Sequence, residues 1–200
     1  MDTFEAIRSR RSIKHFDDSH QFTADEEREL MELAIQSPTS FNMQNWRFVV
    51  VKEPELRAQI RAASYDQAQV TDASLLLIMT ADLRAWAHDP QRYWVNAPKE
   101  VGELLSGWMS PFYEGNDQLQ RDEAMRSIGI ASQTVMLSAR AMGYDSCPMI
   151  GFEADKVAEL IKLPAGHVIG MMITIGKRTQ DPWPKPGQLP IDDVLIENSF

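Results

Sequence analysis

The sequence predicts an α+β fold over residues 1–200, read as a single domain, and three observations carry that expectation. Helical and strand signals mix along the chain without the regular βαβ alternation of a doubly wound sheet. Apolar or β-branched runs at Arg47–Lys52, Leu75–Met79 and Val168–Ile175 read as strands, while capped amphipathic stretches between them read as helices. The 200 residues, 44% hydrophobic and 24% charged, suit one domain or one subunit of a compact oligomer, with no repeat, low-complexity tract or linker.

Taken in order, residues 2–10 form a short helix with Phe4 and Ile7 on one face and Asp2 or Thr3 as cap. Thr23-Ala-Asp-Glu26 has capping-box spacing and opens a second helix with a Leu30, Leu33, Ala34 stripe, ended by Ser37-Pro38. A strand follows over 47–52, and Pro54 starts a helix through about Ala63. Asp72–Thr80 reads as a buried strand. Residues 82–115 hold six of the 17 aromatics, Trp86, Tyr93, Trp94, Trp108, Phe112 and Tyr113. They are read either as a substrate-facing lid or as plain core and interface. The longest helix runs from about Arg121 to Met142; its centre, Ser127-Ile-Gly129-Ile-Ala131-Ser132, is rich in small residues that let a second helix or a second copy approach closely. Gly143 caps it. Asp155–Ile161 is a short helix and Val168–Ile175 a strand. Pro182, Pro184, Pro186 and Pro190 exclude an ordinary helix or central strand from the last 22 residues, which end in a possible edge strand at Val194-Leu-Ile196.

Several function classes fall away. A formal charge of −9 disfavours nucleic acid and anionic membrane as partners. One cysteine, Cys147, excludes an intrachain disulfide, and no zinc-site spacing occurs. Cys147 reads as a buried structural thiol, with a nucleophilic role as the alternative. The charged N-terminus has no apolar signal core, so the cytoplasm is the expected location. No G-x-G-x-x-G, G-x-S-x-G or H-E-x-x-H is present. Gly170…Gly176-Lys177 imitates a P-loop, but the spacing is one residue too long and Arg178 replaces the required hydroxyl.

Two segments carry chemistry. Four of the 20 Lys and Arg, namely Arg8, Arg10, Arg11 and Lys14, lie within seven residues. If the chain runs extended there, Arg10, Ser12 and Lys14 share one side and offer a fork donor, a hydroxyl and a point charge to a phosphate monoester. The other reading is a helix C-terminus decorated with cations. The second segment, Ser37-Pro38-Thr39-Ser40-Phe41-Asn42-Met43-Gln44-Asn45-Trp46-Arg47-Phe48, is dense in hydroxyls and amides. These suit the rim of a flat heteroaromatic ligand, or serve the loop's own Asx and ST turns.

Together these segments resemble the nitroreductase family of flavin mononucleotide (FMN) enzymes. Arg10-Arg11-Ser12-Ile13-Lys14 matches the family's phosphate-binding R-x-S-x-R/K run, and residues 37–48 match its S-P-S-x-x-N-x-Q-x-W-x-F signature. Asp66-Gln67-Ala68-Gln69-Val70 fits the stretch at the flavin pyrimidine edge. Cys147-Pro148-Met149-Ile150-Gly151-Phe152 matches the P-x-x-G-F segment beside the reactive N5, and Gly176-Lys177-Arg178 closes the last core strand. The five landmarks occur in the family's order along the whole chain.

The resemblance implies a central mixed sheet flanked by helices in an intertwined homodimer, with two FMN sites at the interface. The small-residue helix would lie at the dimer centre. Residues 179–200 would form an arm, up to roughly 70 Å long if extended, crossing to the partner. Arg10, Arg11, Ser12 and Lys14 would hold phosphate and ribityl groups, and Pro38, Thr39, Ser40, Asn42, Gln67, Gln69, Pro148, Met149, Ile150 and Gly151 the ring. Phe41, Gln44, Trp108 and Phe112 would face substrate. NADH or NADPH would pass hydride to N5, and a nitroaromatic, quinone or similar small acceptor would then take it in ping-pong fashion, with the chemistry on the flavin, no catalytic side chain and no metal. The alternative is a protein that binds or sequesters FMN without efficient turnover. Three departures stand out. Lys185-Pro-Gly-Gln188-Leu189-Pro190 lacks the basic residue that relatives place before Leu-Pro, leaving Lys185 or Arg178 to supply that charge. Ile150 replaces a frequent Glu, and Asp66 a usual Asn.

Overall fold

The Asp2 side chain accepts a hydrogen bond from the Glu5 amide at 2.8 Å and so opens the first helix of the chain, α1 (Thr3–Ser9). The computed structural model describes every residue from Met1 to Phe200. Helix α2 (Ala24–Ala34) begins with both halves of the capping box in place: Thr23 Oγ1 accepts from the Glu26 amide and Glu26 Oε2 from the Thr23 amide. A 3₁₀ turn at Ser40–Asn42 leads into β1 (Trp46–Val50). Pro54 starts α3 (Pro54–Ala62), and a single turn, α4 (Gln69–Asp72), precedes β2 (Leu75–Asp82). Two 3₁₀ turns, Ala85–Ala87 and Pro90–Trp94, lead to α5 (Lys99–Tyr113) and then to α6 (Asp117–Ala141), the longest element at 25 residues. Strand β3 (Asp145–Met149), α7 (Ala154–Leu160), β4 (His167–Gly176) and a one-turn α8 (Ile191–Val194) complete the chain.

The sheet has strand order β1-β2-β4-β3 with every ladder antiparallel. Its one parallel pairing is a bridge between Ser12 and Ser146, which lays the N-terminal run along β3. The expected mixed character is thus confined to that bridge. All eight residues of β2 are buried, because both sheet faces are covered. Leu75, Leu77, Met79 and Ala81 pack with Ala124, Ile128, Ala131, Val135 and Ala139 of α6. Leu76 and Ile78 point the other way, toward Ile60, Val70, Val157 and Met172. This is the two-residue alternation of a strand with apolar groups on both sides. Ser127, Ala131 and Ser132 are buried on α6, which lets that helix lie close to the sheet.

Three elements differ from the sequence reading. The aromatic stretch holds a 15-residue helix, α5, which tolerates Pro111 close to its C-terminal end. The segment around Cys147-Pro148 is an edge strand. Val194 belongs to a helical turn capped by Pro190 and not to a strand, since Pro190 fixes a dihedral suited to the helix start. Nearly all of residues 179–200 are exposed, Leu189, Ile191, Leu195 and Phe200 included. No helix is long and apolar enough to cross a membrane.

Candidate functional site

The chain leaves α1 at Arg10 in an extended conformation, φ −59° and ψ 134°, and continues beside β3, where the Ile13 amide donates to the Ser146 carbonyl at 3.0 Å. Ile13 and Phe16 turn inward and pack with Ala73, which leaves Ser12 and Lys14 exposed on the opposite side. The alternation expected of an extended run therefore separates the anchoring residues from the polar ones. Arg10 is half-buried, and its Nη1 is fully enclosed without a hydrogen-bond partner. Guanidinium nitrogens cannot shed their protons, so an enclosed N–H of this kind calls for an acceptor. Arg10 and Lys14 are both near enough to β3 to favour the thiolate of Cys147, although burial outweighs them and pushes that thiol up. An unsatisfied fork donor followed along the run by an exposed hydroxyl and an exposed ammonium fits the phosphate of FMN.

Four other cations of the region already have polar partners. Arg178 lies 3.8 Å from Asp145 and 3.1 Å from Asp181. Asp145 is buried and also pairs with Arg140 at 3.0 Å, while Arg140 Nε donates to Ser9 Oγ at 3.0 Å, immediately before the basic run. Lys185 donates to the Arg8 carbonyl at 2.9 Å, and Arg11 to the Trp183 carbonyl. Arg11–His15 and Gln180–Trp183 thereby face each other across a cleft of about 430 Å³. Nothing in the sequence singled out Asp145 or Arg140; a carboxylate and its partners on three elements leave no local signature.

Beyond β3 the same edge continues into a second polar group. Gln69 is buried and its Nε2 donates to Gln67 Oε1 at 3.1 Å; Gln67 Nε2 donates to the Gly151 carbonyl at 2.9 Å. Ile150 is 80% exposed, whereas the Met149 side chain sits in the core with Ile60 and Val70, so only its backbone can meet a ligand. Pro148 is half-buried on β3.

The loop at 38–44 forms a separate group. Thr39 Oγ1 accepts from the Gln44 amide at 2.9 Å, and Phe41, Asn42 and Gln44 all have positive φ, between 43° and 51°. Tyr113 of α5 donates to Ser40 Oγ at 2.8 Å, and Asn42 Nδ2 donates to the Tyr93 carbonyl at 2.8 Å. Burial is the main reason the Tyr113 phenol is pushed up, so it remains a donor. Phe41 and Phe112 have ring centroids 5.7 Å apart, and Trp108 and Phe112 are half-exposed on α5. Pro38 is exposed. The fold thus brings Arg10, Ser12, Lys14, Pro148, Gly151, Gln67 and Gln69 to one sheet edge. It brings Thr39, Ser40, Phe41, Asn42 and Gln44 under α5, and no hydrogen bond or ion pair joins that loop to the basic run.

An antiparallel sheet with a basic run on its β3 edge and a signature loop beneath a separate helix defines a known class. The model of the nitroreductase family matches residues 7–177, and the chain belongs to that family. The protein DrgA of Synechocystis sp. is 58% identical over 200 residues, covering 98% of this chain and 95% of that protein. The oxygen-insensitive NADPH nitroreductase of Helicobacter acinonychis is 29% identical, with 88% of each chain covered. Among solved structures, a candidate nitroreductase in complex with FMN from Exiguobacterium sibiricum superposes with a TM-score of 0.91 at 30% identity, covering 98% of this chain and 97% of that one.

Proposed function

We propose that the protein is an FMN-dependent NAD(P)H oxidoreductase that reduces small acceptors of the nitroaromatic or quinone type. The observation that carries this reading is the enclosed, unpartnered Arg10 Nη1, followed along the same run by the exposed Ser12 and Lys14. The FMN complex of the Exiguobacterium relative and the NADPH nitroreductase of Helicobacter support it from outside the chain. When bound, FMN supplies the capacity to accept hydride from a nicotinamide and pass electrons to an oxidised acceptor.

The chain's own residues do the rest. Arg10, Arg11, Ser12 and Lys14 hold the phosphate and ribityl groups through charge-assisted hydrogen bonds. Arg178 and Lys185 remain with Asp145, Asp181 and the Arg8 carbonyl, so the N-terminal run supplies most of the phosphate charge. Gln69 and the Gly151 backbone meet the ring edge. Pro38, Thr39, Ser40 and Asn42 belong to a second copy's contribution, because within one chain no hydrogen bond or ion pair joins their loop to the basic run. Phe41, Gln44, Trp108 and Phe112 shape an aromatic, partly polar approach for a flat acceptor. The exposed tail at 179–200, with its unburied Leu189, Ile191 and Leu195, crosses to cover the partner.

The test is to mix the purified yellow protein with NADH or NADPH in the absence of oxygen and follow the visible flavin band. Rapid bleaching, followed by recovery of colour on adding a quinone or nitroaromatic, is the expected result. A yellow protein that neither nucleotide bleaches is a flavin-binding protein without this turnover, and the proposal fails.

A further inference from the structure

We propose that Gln67 is a positioning residue: it does not ligate the flavin but holds Gln69 and Gly151, the two groups that do. The inference rests on the FMN reading above and assigns within it a role that the sequence pattern could not separate from direct contact.

A primary amide has two hydrogens to give and one oxygen with which to accept. Gln67 Nε2 donates to the Ser64 carbonyl at 3.1 Å and to the Gly151 carbonyl at 2.9 Å. Its Oε1 accepts from Gln69 Nε2 at 3.1 Å. Both donors are committed, and the acceptor orients a side chain that is itself 4% exposed. One residue thus fixes two neighbours that approach from different elements.

A glycine has no side chain to restrict its dihedrals, so its backbone must be pinned from outside if its N–H is to be aimed. The turn at 63–67 pins this segment twice, through Gln67 to the Gly151 carbonyl and through the Ala63 carbonyl, which accepts from the Glu153 amide at 2.8 Å. A Cβ placed on Gly151 would lie 3.5 Å from Gln67 Nε2, which measures how closely the two residues meet.

The turn is itself held in an unusual shape. Tyr65 and Asp66 both have φ of 55°, a conformation L residues rarely adopt in succession. Arg61 braces it: Nε donates to Asp66 Oδ1 at 2.7 Å, Nη1 to Thr71 Oγ1 at 3.0 Å, and its carbonyl accepts from the Asp66 amide at 3.1 Å. Strained turns persist where their surroundings over-determine them. Here the product is the direction of the Gln67 side chain.

A double-mutant cycle on FMN affinity tests the idea without any turnover. Apo-protein of wild type, Gln67→Ala, Gln69→Ala and the double variant is titrated with FMN by flavin fluorescence, with thermal melting of each apo-protein as the fold control. Each single change is expected to weaken binding about tenfold. Because the part of the Gln67 effect that passes through Gln69 is already lost in Gln69→Ala and only the part through Gly151 remains, the double variant should stay below about thirtyfold, well short of the hundredfold product that independent contacts give. Bound FMN in Gln67→Ala should also shift its visible spectrum toward that of free FMN. Gln67→Glu, nearly the same shape but with no hydrogen to give Gly151, should weaken binding while melting within a few degrees of wild type. A double variant at thirtyfold or beyond, or a Gln67→Ala protein that binds FMN like wild type, overturns the inference. Wild-type apo-protein that binds no FMN overturns the FMN reading instead.

Discussion

Tyr144 donates its phenolic hydrogen to Glu26 Oε1 across 2.8 Å, tying the capping box of α2 to the entrance of β3 across 118 positions of sequence. His20 Nε2 lies 3.1 Å from the same hydroxyl, Phe22 stacks on the ring at 4.1 Å and Lys177 Nζ sits 3.7 Å above it. Glu26 is held down to about 2 by the Thr23 amide first, then by the Tyr144 and Thr23 hydroxyls. A carboxyl whose folded pKa is depressed from an ordinary 4.5 stabilises fully above that value and loses its contribution as pH falls toward 2. Glu26→Gln should therefore melt lower than wild type at neutral pH, with the difference narrowing between pH 5 and pH 2. A difference that stays constant through that window would show that the charge of Glu26 is not what matters. Burial, then Glu26, pushes Tyr144 up to about 12, so its own share is present below pH 10 and lost as pH rises toward 12.

Removal of both free cations from the basic run should empty the protein of flavin. Within Arg10–Lys14, Arg10 and Lys14 are the cations that make neither an ion pair nor a hydrogen bond, whereas Arg11 donates to the Trp183 carbonyl, and hydrogen bonds to charged groups contribute about 1.5–3 kcal/mol each. Arg10→Ala with Lys14→Ala should weaken FMN binding by about 10² to 10⁴-fold and give colourless protein as purified. Arg178→Ala, which removes a cation already paired with Asp145 and Asp181, should leave the colour. Visible absorbance per chain, with far-UV circular dichroism as the fold control, reads both. A full yellow complement in the double variant sinks the phosphate site.

Elements whose cause is local were readable in the sequence. Asp2, Thr23-Glu26 and Pro54 sit where capping chemistry puts them, and Leu75–Met79 lies in a strand buried on both faces. What escaped depends on distant partners. Helix α5 was hidden because its aromatic and glycine content gives weak helical propensity, and packing of Met109 and Tyr113 against Met43 and Trp86 outweighs it. Strand β3 was hidden because Pro148 and Asp145 are poor strand residues, tolerated on an edge strand. The outward setting of Ser12 and Lys14 about buried Ile13 could be read because strand alternation is a local rule. Asp145, which pairs with both Arg140 and Arg178, could not.

The Cys147 thiol should be inert. It is 4% exposed, and burial pushes its pKa up more than Lys14 and Arg10 pull it down, so little thiolate forms at neutral pH. Iodoacetamide at pH 7.5 should modify native protein far more slowly than urea-unfolded protein, whose single thiol reacts completely. Intact mass against time distinguishes the two. Reaction of the native chain at the unfolded rate would restore Cys147 as a candidate nucleophile.

The Gly170…Gly176 spacing that imitates a phosphate loop has a packing origin, and this yields a last prediction. Both glycines lie in β4, where other residues come too close for a side chain. A Cβ on Gly170 would stand 2.6 Å from Ile128 Cγ2 and 2.9 Å from Ile128 Cδ1, and Ile128 is buried at the contact of α6 with the sheet. Neither partner can retreat, since α6 is packed along its whole inner face. Gly170→Ala should destabilise by about 1–3 kcal/mol, lowering Tm by roughly 2–4 °C per kcal/mol in a chain of this size. Ile128→Ala alone leaves a cavity and should cost about 2–5 kcal/mol. In the double variant the new methyl occupies part of the space that isoleucine vacated, so the combined loss should fall clearly below the sum of the two. Additive losses in urea denaturation would mean that the α6–β4 contact yields more readily than its geometry implies.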